Sequence, residues 1–584
     1  MAHQRPDTIA GPKNIEGAGL PTASSISIKE TLDLLSDPAG GVGNGVAQGS
    51  YALWLGSGIS RERVVGLDGV LAKLLEFLRA RANGNPACEF TKALNAIVDM
   101  AAPSAAERAQ IDMAAPVAGW GCLKDLLKRL WNQYAKVLSI EFDGQPLDYL
   151  LWTGLDFPNT FSNQDPDAEH LLIGMLALEG VVTELASANW DGLLEAAMKE
   201  LGYDGFFQTT VNGEDLRGPA AAAILYKFHG CAIRAIADEP AYRQLLVARS
   251  AQITGWNANP TFRIVRDQIG ALAQKKRTLM IGMSAQDEDI KYLFAKVNEQ
   301  QPWKWNEQPT PVVFSAQELG DDQKNLLLLT YGQAEYEAHR ANICEAARLQ
   351  AYAKPLLLAL LLHVLSSKAE VLAADAEAPN LAAHERMEIA TGIRKLRDKA
   401  ADAGNGDRLA FARSIAQGLA RARHQLQNGS SATGAQRYFP IDTQPAHLMK
   451  GKLALQASGQ REAAVALGLI GLEDASAWDC TVDDPTSHHS GAIRLGSAAA
   501  GARIFFAAND DAITSLIECG SFAENDDDAV VICSGRIAGR QQRSPSGTWR
   551  TGSIGPRYLA MKPLLNDSMS LNDLRDKFRG EIGL

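Results

Sequence analysis

The chain has 584 residues, 46% hydrophobic and 21% charged, with a formal net charge of −11. That composition suits a folded protein with ample core, and the length suits two or three domains. Acidic residues are spread throughout, which excludes a global attraction to nucleic acid or anionic membrane and leaves room only for a local basic patch.

Residues 1–25 read as a flexible arm rich in Gly, Pro and Ala, without an apolar stretch of signal-peptide type. Residues 26–37 predict a short amphipathic helix, and Tyr51–Leu55 a strand closed by a Gly-Ser-Gly turn. Val70–Arg81 has the apolar spacing of a helix, and residues 82–180 read as a helical insertion, clearest over Leu123–Leu138. Strand-like runs return at Val181–Ala186, Ala223–Phe228, Thr278–Ile281 and Val312–Phe314, with helices predicted over Gly192–Leu201 and Phe262–Ala273. This alternation predicts an α/β, Rossmann-like, doubly wound parallel sheet over residues 26–330. Residues 331–430 read as a helical region. Its most apolar stretch, Pro355–Leu365, falls short of the roughly 18 to 20 residues of a membrane span and predicts a buried helix. Residues 431–584 predict a C-terminal mixed α/β module with strands at Ala502–Ala508, Ala529–Cys533 and Tyr558–Pro563. The seven cysteines stand singly, without a Cys-x-x-Cys pair, and are expected to be free thiols in a cytoplasmic protein.

Four motifs follow the predicted strands, where an open parallel sheet binds its ligands. In Leu55-Gly-Ser-Gly-Ile-Ser60, Gly56 and Gly58 give room for a pyrophosphate to approach backbone N–H groups at a helix start, with Ser57 and Ser60 as hydroxyl donors. An ordinary loop turn has the same spelling. In Ser187-Ala-Asn-Trp-Asp191, Asp191 fits a helix cap with Leu193 and Leu194 packing inward, which leaves Asn189 unexplained by packing. In Lys227-Phe-His-Gly230, His229 has the titration range of a general base, with an unperturbed pKa of about 6.5. Lys227 fits either the site or a solvent-facing strand end. Ile281-Gly-Met-Ser284 brings Gly282 and Ser284 to another strand end, and Asp287 and Asp289 fit either helix caps or ligand contacts.

In order and residue type these motifs resemble the SIR2 (sirtuin-like) superfamily over roughly residues 45–320. They are similar to its Gly-Ala-Gly-Ile-Ser, Thr-x-Asn-Tyr-Asp-x-Leu-Leu-Glu, Lys-x-His-Gly and Gly-x-Ser-x-x-Asp-x-Asp-Ile segments, with Ser57 in place of Ala. The resemblance implies NAD as substrate, cleavage of its nicotinamide–ribose bond, and no metal. It places Asn189 and His229 at the nicotinamide ribose as catalytic residues. It assigns dinucleotide contacts to Gly56, Ser57, Gly58, Ile59, Ser60, Asp191, Gly282, Ser284 and Asp287.

Two departures separate the chain from SIR2 deacylases. Their zinc module needs paired cysteines, whereas here Cys231 is the last cysteine before Cys344, and Val65-Gly-Leu-Asp-Gly69 stands where many deacylases have Gly-Ile-Pro-Asp-Phe-Arg. Both departures resemble the bacterial SIR2-like branch that hydrolyses NAD in anti-phage defence, and imply a homo-oligomeric effector paired with a sensor such as a HerA-type ring ATPase. The alternatives are an NAD-dependent deacylase or ADP-ribosyltransferase, and a non-catalytic sensor of NAD or ADP-ribose. Arg408, Arg413, Arg421 and Arg423 fit a basic stripe or a solvated helix face. From Arg437 onward, 15 Lys/Arg against 18 Asp/Glu disfavour nucleic-acid binding. His488-His489 beside Asp483 and Asp484 lacks metal-ligand spacing.

Overall fold

The computed structural model describes residues 22–36, 41–218, 221–429, 437–484, 487–497, 500–535 and 555–584, so most of the expected N-terminal arm lies outside the described residues. The first sheet contains β1 (Tyr51–Leu55), β2 (Glu184–Ser187), β3 (Phe207–Thr210), β4 (Ala223–Lys227), β5 (Arg277–Ile281), β6 (Val312–Ser315) and β7 (Arg348–Leu349). Its order is β3-β4-β2-β1-β5-β6-β7, with every pairing parallel. Alternate residues enter opposite cores, as the strand period requires. Leu53, Leu55, Leu185, Leu225 and Leu279 face the helices Ala168–Leu178 and Ala353–Ala374. Ala52, Trp54, Ala186, Tyr226 and Met280 face Arg263–Lys275 and Glu288–Gln300. The doubly wound sheet is therefore as expected, with β3 and β7 added at its two edges.

Register positions the site. Leu55 pairs with both Ser187 and Ile281, and Ser187 pairs with Lys227. All four motifs thus leave the sheet from one transverse row. The chain leaves β1 toward β2 on one side and β5 toward β6 on the other, which makes the β1–β5 boundary a topological switch point. Within the expected insertion, residues 82–161 build a separate core around Leu94, Ile97, Leu126, Leu130, Leu150 and Phe157 against the helix Leu67–Arg79, whereas Ala168–Leu178 packs on the sheet itself.

The apolar run expected at Pro355–Leu365 belongs to a helix twice that length, Ala353–Ala374, of 22 residues. By length and composition this helix reaches membrane-spanning size, yet 72% of its apolar window is buried within the protein. Lys368 on it forms a fully buried ion pair with Glu179, Nζ to Oε2 2.6 Å.

Each of the four arginines has an acceptor: Arg421 and Arg423 are buried, while Arg408 and Arg413 stay partly exposed. Arg408 donates to Ile26 O, Arg413 pairs with Glu200, Arg421 donates to Asp484 O, and Arg423 donates to Pro440 O while lying over Phe439.

The second sheet holds β8 (Asp479–Val482), β9 (Ile493–Gly496), β10 (Gly501–Ala507), β11 (Ala529–Cys533) and β12 (Arg557–Ala560), in the order β12-β11-β10-β9-β8. β10, β11 and β12 are parallel, while β8 and β9 are antiparallel, which makes the sheet mixed. The strand expected over Tyr558–Pro563 ends at Ala560. Met561–Asp567 turns into a helix that buries Met561, Leu564 and Leu565. His489 Nδ1 meets Gly520 O, and Asp483 accepts from Gly491 N–H, so these residues serve separate loop contacts.

Candidate active site

The glycine loops after β1 and β5 are built against each other. Gly56 N–H donates to Ile281 O and Gly58 N–H to Gly282 O, each at 3.0 Å. A Cβ on Gly58 would stand 2.6 Å from Gly282 Cα, and one on Gly56 would stand 2.5 Å from Gly282 O. The room and the N–H groups that sequence alone assigns to a pyrophosphate are thus used first between loops. No α-helix opens at the motif. A single 3-10 turn, Ser57–Ile59, follows Gly56, and the next helix starts at Leu67. Ser57 is exposed at the rim, while Ile59 and Ser60 are buried. Gly58→Val is expected to lose about 1–3 kcal/mol through this overpacking, and to lose NAD affinity as a consequence. A thermal melt without NAD checks it; an unchanged melting temperature contradicts it.

Asn189 leaves β2 two residues past Ser187 and is buried. Its Nδ2 donates to Gly56 O at 3.1 Å and more weakly to Ser60 Oγ at 3.4 Å, tying the second motif to the first. Gly56 O can only accept, so the amide orientation is settled and Oδ1 remains as the acceptor. Asp191 Oδ1 receives Leu193 N–H at the start of the helix Leu193–Glu200, but the cap position itself is Gly192, so Asp191 supports the helix start from one residue before the cap. Lys227 does not face solvent. It is fully buried, donates to Asp191 O, and pairs with Glu195 at 2.8 Å. Burial opposes its charge, but Cys231, Glu195 and Asp191 hold its pKa above the ordinary lysine value. It braces the second motif against the third.

His229 leaves β4 two residues past Lys227, alongside Asn189. Its Nε2 lies 2.6 Å from Asp289 Oδ2, with both side chains buried, and its backbone O receives Trp190 Nε1–H. Burial disfavours the imidazolium, yet the Asp289 charge and hydrogen bond, with Asp287, raise the His229 pKa above its ordinary value. The carboxylate directs Nε2–H toward itself, which leaves Nδ1 as the nitrogen able to take a proton. Asp287 occupies the cap position of Glu288–Gln300 but makes no side-chain cap bond. Its Oδ1 accepts from Tyr134 OH of the helical insertion at 3.0 Å. Burial raises the Asp287 pKa, against the pull of His229. Asp289 accepts from Ile290 N–H with its other oxygen, so its main partner is His229 and capping is secondary.

Among the described residues, His229, Asp287 and Asp289 are the one cluster spaced to hold a metal ion, with ligand atoms within 4.8 Å of one another. Two ligands of one tetrahedral zinc stand roughly 3.3 Å apart, so the 2.6 Å His229–Asp289 contact is a hydrogen bond rather than shared coordination. Gly282, with φ +66°, lies in the β5 loop, and Ser284 is exposed beyond it.

Sequence reasoning missed Tyr134, the Asp289–His229 pairing and His170. His170 is buried on the helix Ala168–Leu178, with Nε2 3.1 Å from Ser60 Oγ. An isolated imidazole in an apolar helix was the available signal.

Residues 183–335 match a family model described as a SIR2-like domain. That span begins just before β2 and contains Asn189, His229, Gly282, Ser284, Asp287 and Asp289, while β1 and its glycine loop lie outside it. No curated protein matches the chain. SIR2-like domains use NAD, which gives the site an NAD-related activity in general terms. With seven parallel strands, one row of strand ends and this match, the chain carries a SIR2-like domain.

Proposed function

We propose that the chain is an NAD glycohydrolase, converting NAD and water to nicotinamide, ADP-ribose and a proton. The observation that carries this reading is the side-by-side exit of Asn189 and His229 from paired strands, with His229 backed by a buried carboxylate. Nicotinamide leaves as a neutral group from a cationic ground state, so charge builds at C1′ as the bond stretches, and placement of the nucleophile dominates. Asn189 Oδ1 accepts a hydrogen bond from the water or a ribose hydroxyl. His229 takes the water's proton as C1′–O forms, and Asp289 stabilises the imidazolium. The missing cysteine pairs support hydrolysis over deacylation. A cytoplasmic anti-phage role, with control by self-assembly or by a sensor such as a HerA-type ATPase, extends the same proposal on resemblance.

Incubation with NAD alone is expected to release nicotinamide and free ADP-ribose in equal amounts. Nicotinamide without free ADP-ribose contradicts hydrolysis, since it marks transfer to an acceptor.

The raised His229 pKa sets a pH signature. The general base must be neutral, so kcat/KM rises with pH through a value above 6.5. The stability contributed by the protonated pair is complete below about pH 6.5 and is lost as pH rises through the folded value. Activity and this share of stability therefore move in opposite directions across that window. Parallel rate and melting profiles check it, and an activity limb below 6.5 contradicts it.

A further inference from the structure

We propose that His170 is a positioning residue that holds Asn189 in its working orientation through Ser60. This inference rests on the NAD-cleaving reading above. His170 is 0% exposed on a helix whose other inward residues are almost all apolar, and a buried imidazole needs partners for both nitrogens. Nδ1 accepts the Asp167 backbone N–H at 3.1 Å. An accepting Nδ1 carries no proton, so Nε2 carries it and donates to Ser60 Oγ at 3.1 Å. Burial lowers the His170 pKa, consistent with a neutral ring.

Ser60 Oγ is thus fixed by a donor from behind and meets Asn189 Nδ2 in front. The second Asn189 amide hydrogen goes to Gly56 O. Two acceptors therefore clamp one amide, and its oxygen is presented in a single direction. Removing His170 releases Ser60, and Asn189 is left on Gly56 alone. The two histidines do opposite work. His229 faces a carboxylate that welcomes charge, whereas His170 faces a backbone N–H that forbids it.

The same chain of contacts begins far from the site. Asp167 Oδ2 lies 3.0 Å from Lys354 Nζ at the start of the helix Ala353–Ala374, and 3.6 Å from Arg63 Nε. The position of that long helix is thereby carried to Asn189 in four contacts: Lys354–Asp167, Asp167–His170, His170–Ser60 and Ser60–Asn189.

The test is nicotinamide release by the full chain for His170→Ala, His170→Gln and Ser60→Ala, with His170→Ala repeated on an Asn189→Ala background. His170→Ala and Ser60→Ala are each expected to lower kcat about 10- to 100-fold, the scale of a misplaced catalytic group, while KM stays within about threefold. His170→Gln, whose amide nitrogen reaches Ser60, is expected to recover most of the loss. On the Asn189→Ala background, His170→Ala is expected to change kcat less than about twofold, because the two act as one unit. Equal loss on both backgrounds, or an unchanged kcat in Ser60→Ala, overturns the inference. If the wild-type chain releases no nicotinamide, the glycohydrolase reading fails by itself. Crystal structures of Ser60→Ala and His170→Gln then decide the positioning. Asn189 displaced from Gly56 O in Ser60→Ala, but retained in His170→Gln, supports it; Asn189 unmoved in Ser60→Ala overturns it.

Discussion

His229→Ala is expected to lower nicotinamide release by about 10²- to 10⁴-fold, the usual worth of a general base. It is also expected to destabilise the fold, because Asp289 is left with a side chain 1% exposed and no counterpart. Breaking a buried pair from one side costs about 3–5 kcal/mol. The two effects separate in the double variant His229→Ala/Asp289→Asn. Neutralising the orphaned carboxylate restores part of the lost stability and none of the lost turnover. Thermal melts and initial rates on the three proteins check this. If turnover returns together with stability, His229 is a packing residue and the mechanism is wrong.

Lys368→Met is expected to cost about 3–5 kcal/mol of stability. Lys368 and Glu179 are both 0% exposed, and Glu179 also receives Tyr438 OH at 2.6 Å. Glu179 caps the C-terminus of the helix that carries His170, so this pair locks that helix to Ala353–Ala374. Lys368→Met/Glu179→Gln is expected to recover much of the loss, since a neutral amide can keep the Tyr438 contact. Urea unfolding of the single and double variants measures it. A single variant as stable as the parent contradicts the locking role of this pair.

The central strands are legible because strands buried on both faces read as continuous apolar runs, as in Tyr51–Leu55 and Val312–Phe314. β3 is not, since Phe-Gln-Thr-Thr at a sheet edge has no such run, and β7 is two residues long. Asn189 and His229 stood out as polar residues just past apolar strands. The pairing of His229 with Asp289 did not, because it joins residues 60 apart and Asp289 satisfies a local capping pattern equally well. Lys227 and the four arginines point to the same limit. A basic residue in a sequence does not announce its acceptor, and here Glu195, Glu200 and several carbonyls hold these side chains. The glycines of the first motif are positions of close approach, and the backbone that approaches them is that of Gly282.

The most direct test is the rate of nicotinamide release from NAD by the purified full chain, measured beside Asn189→Ala and His229→Ala at matched folded concentration. The account predicts release by the parent chain and a loss of at least about 100-fold in each variant. NAD binding without release by the parent, or equal release by all three proteins, would contradict it.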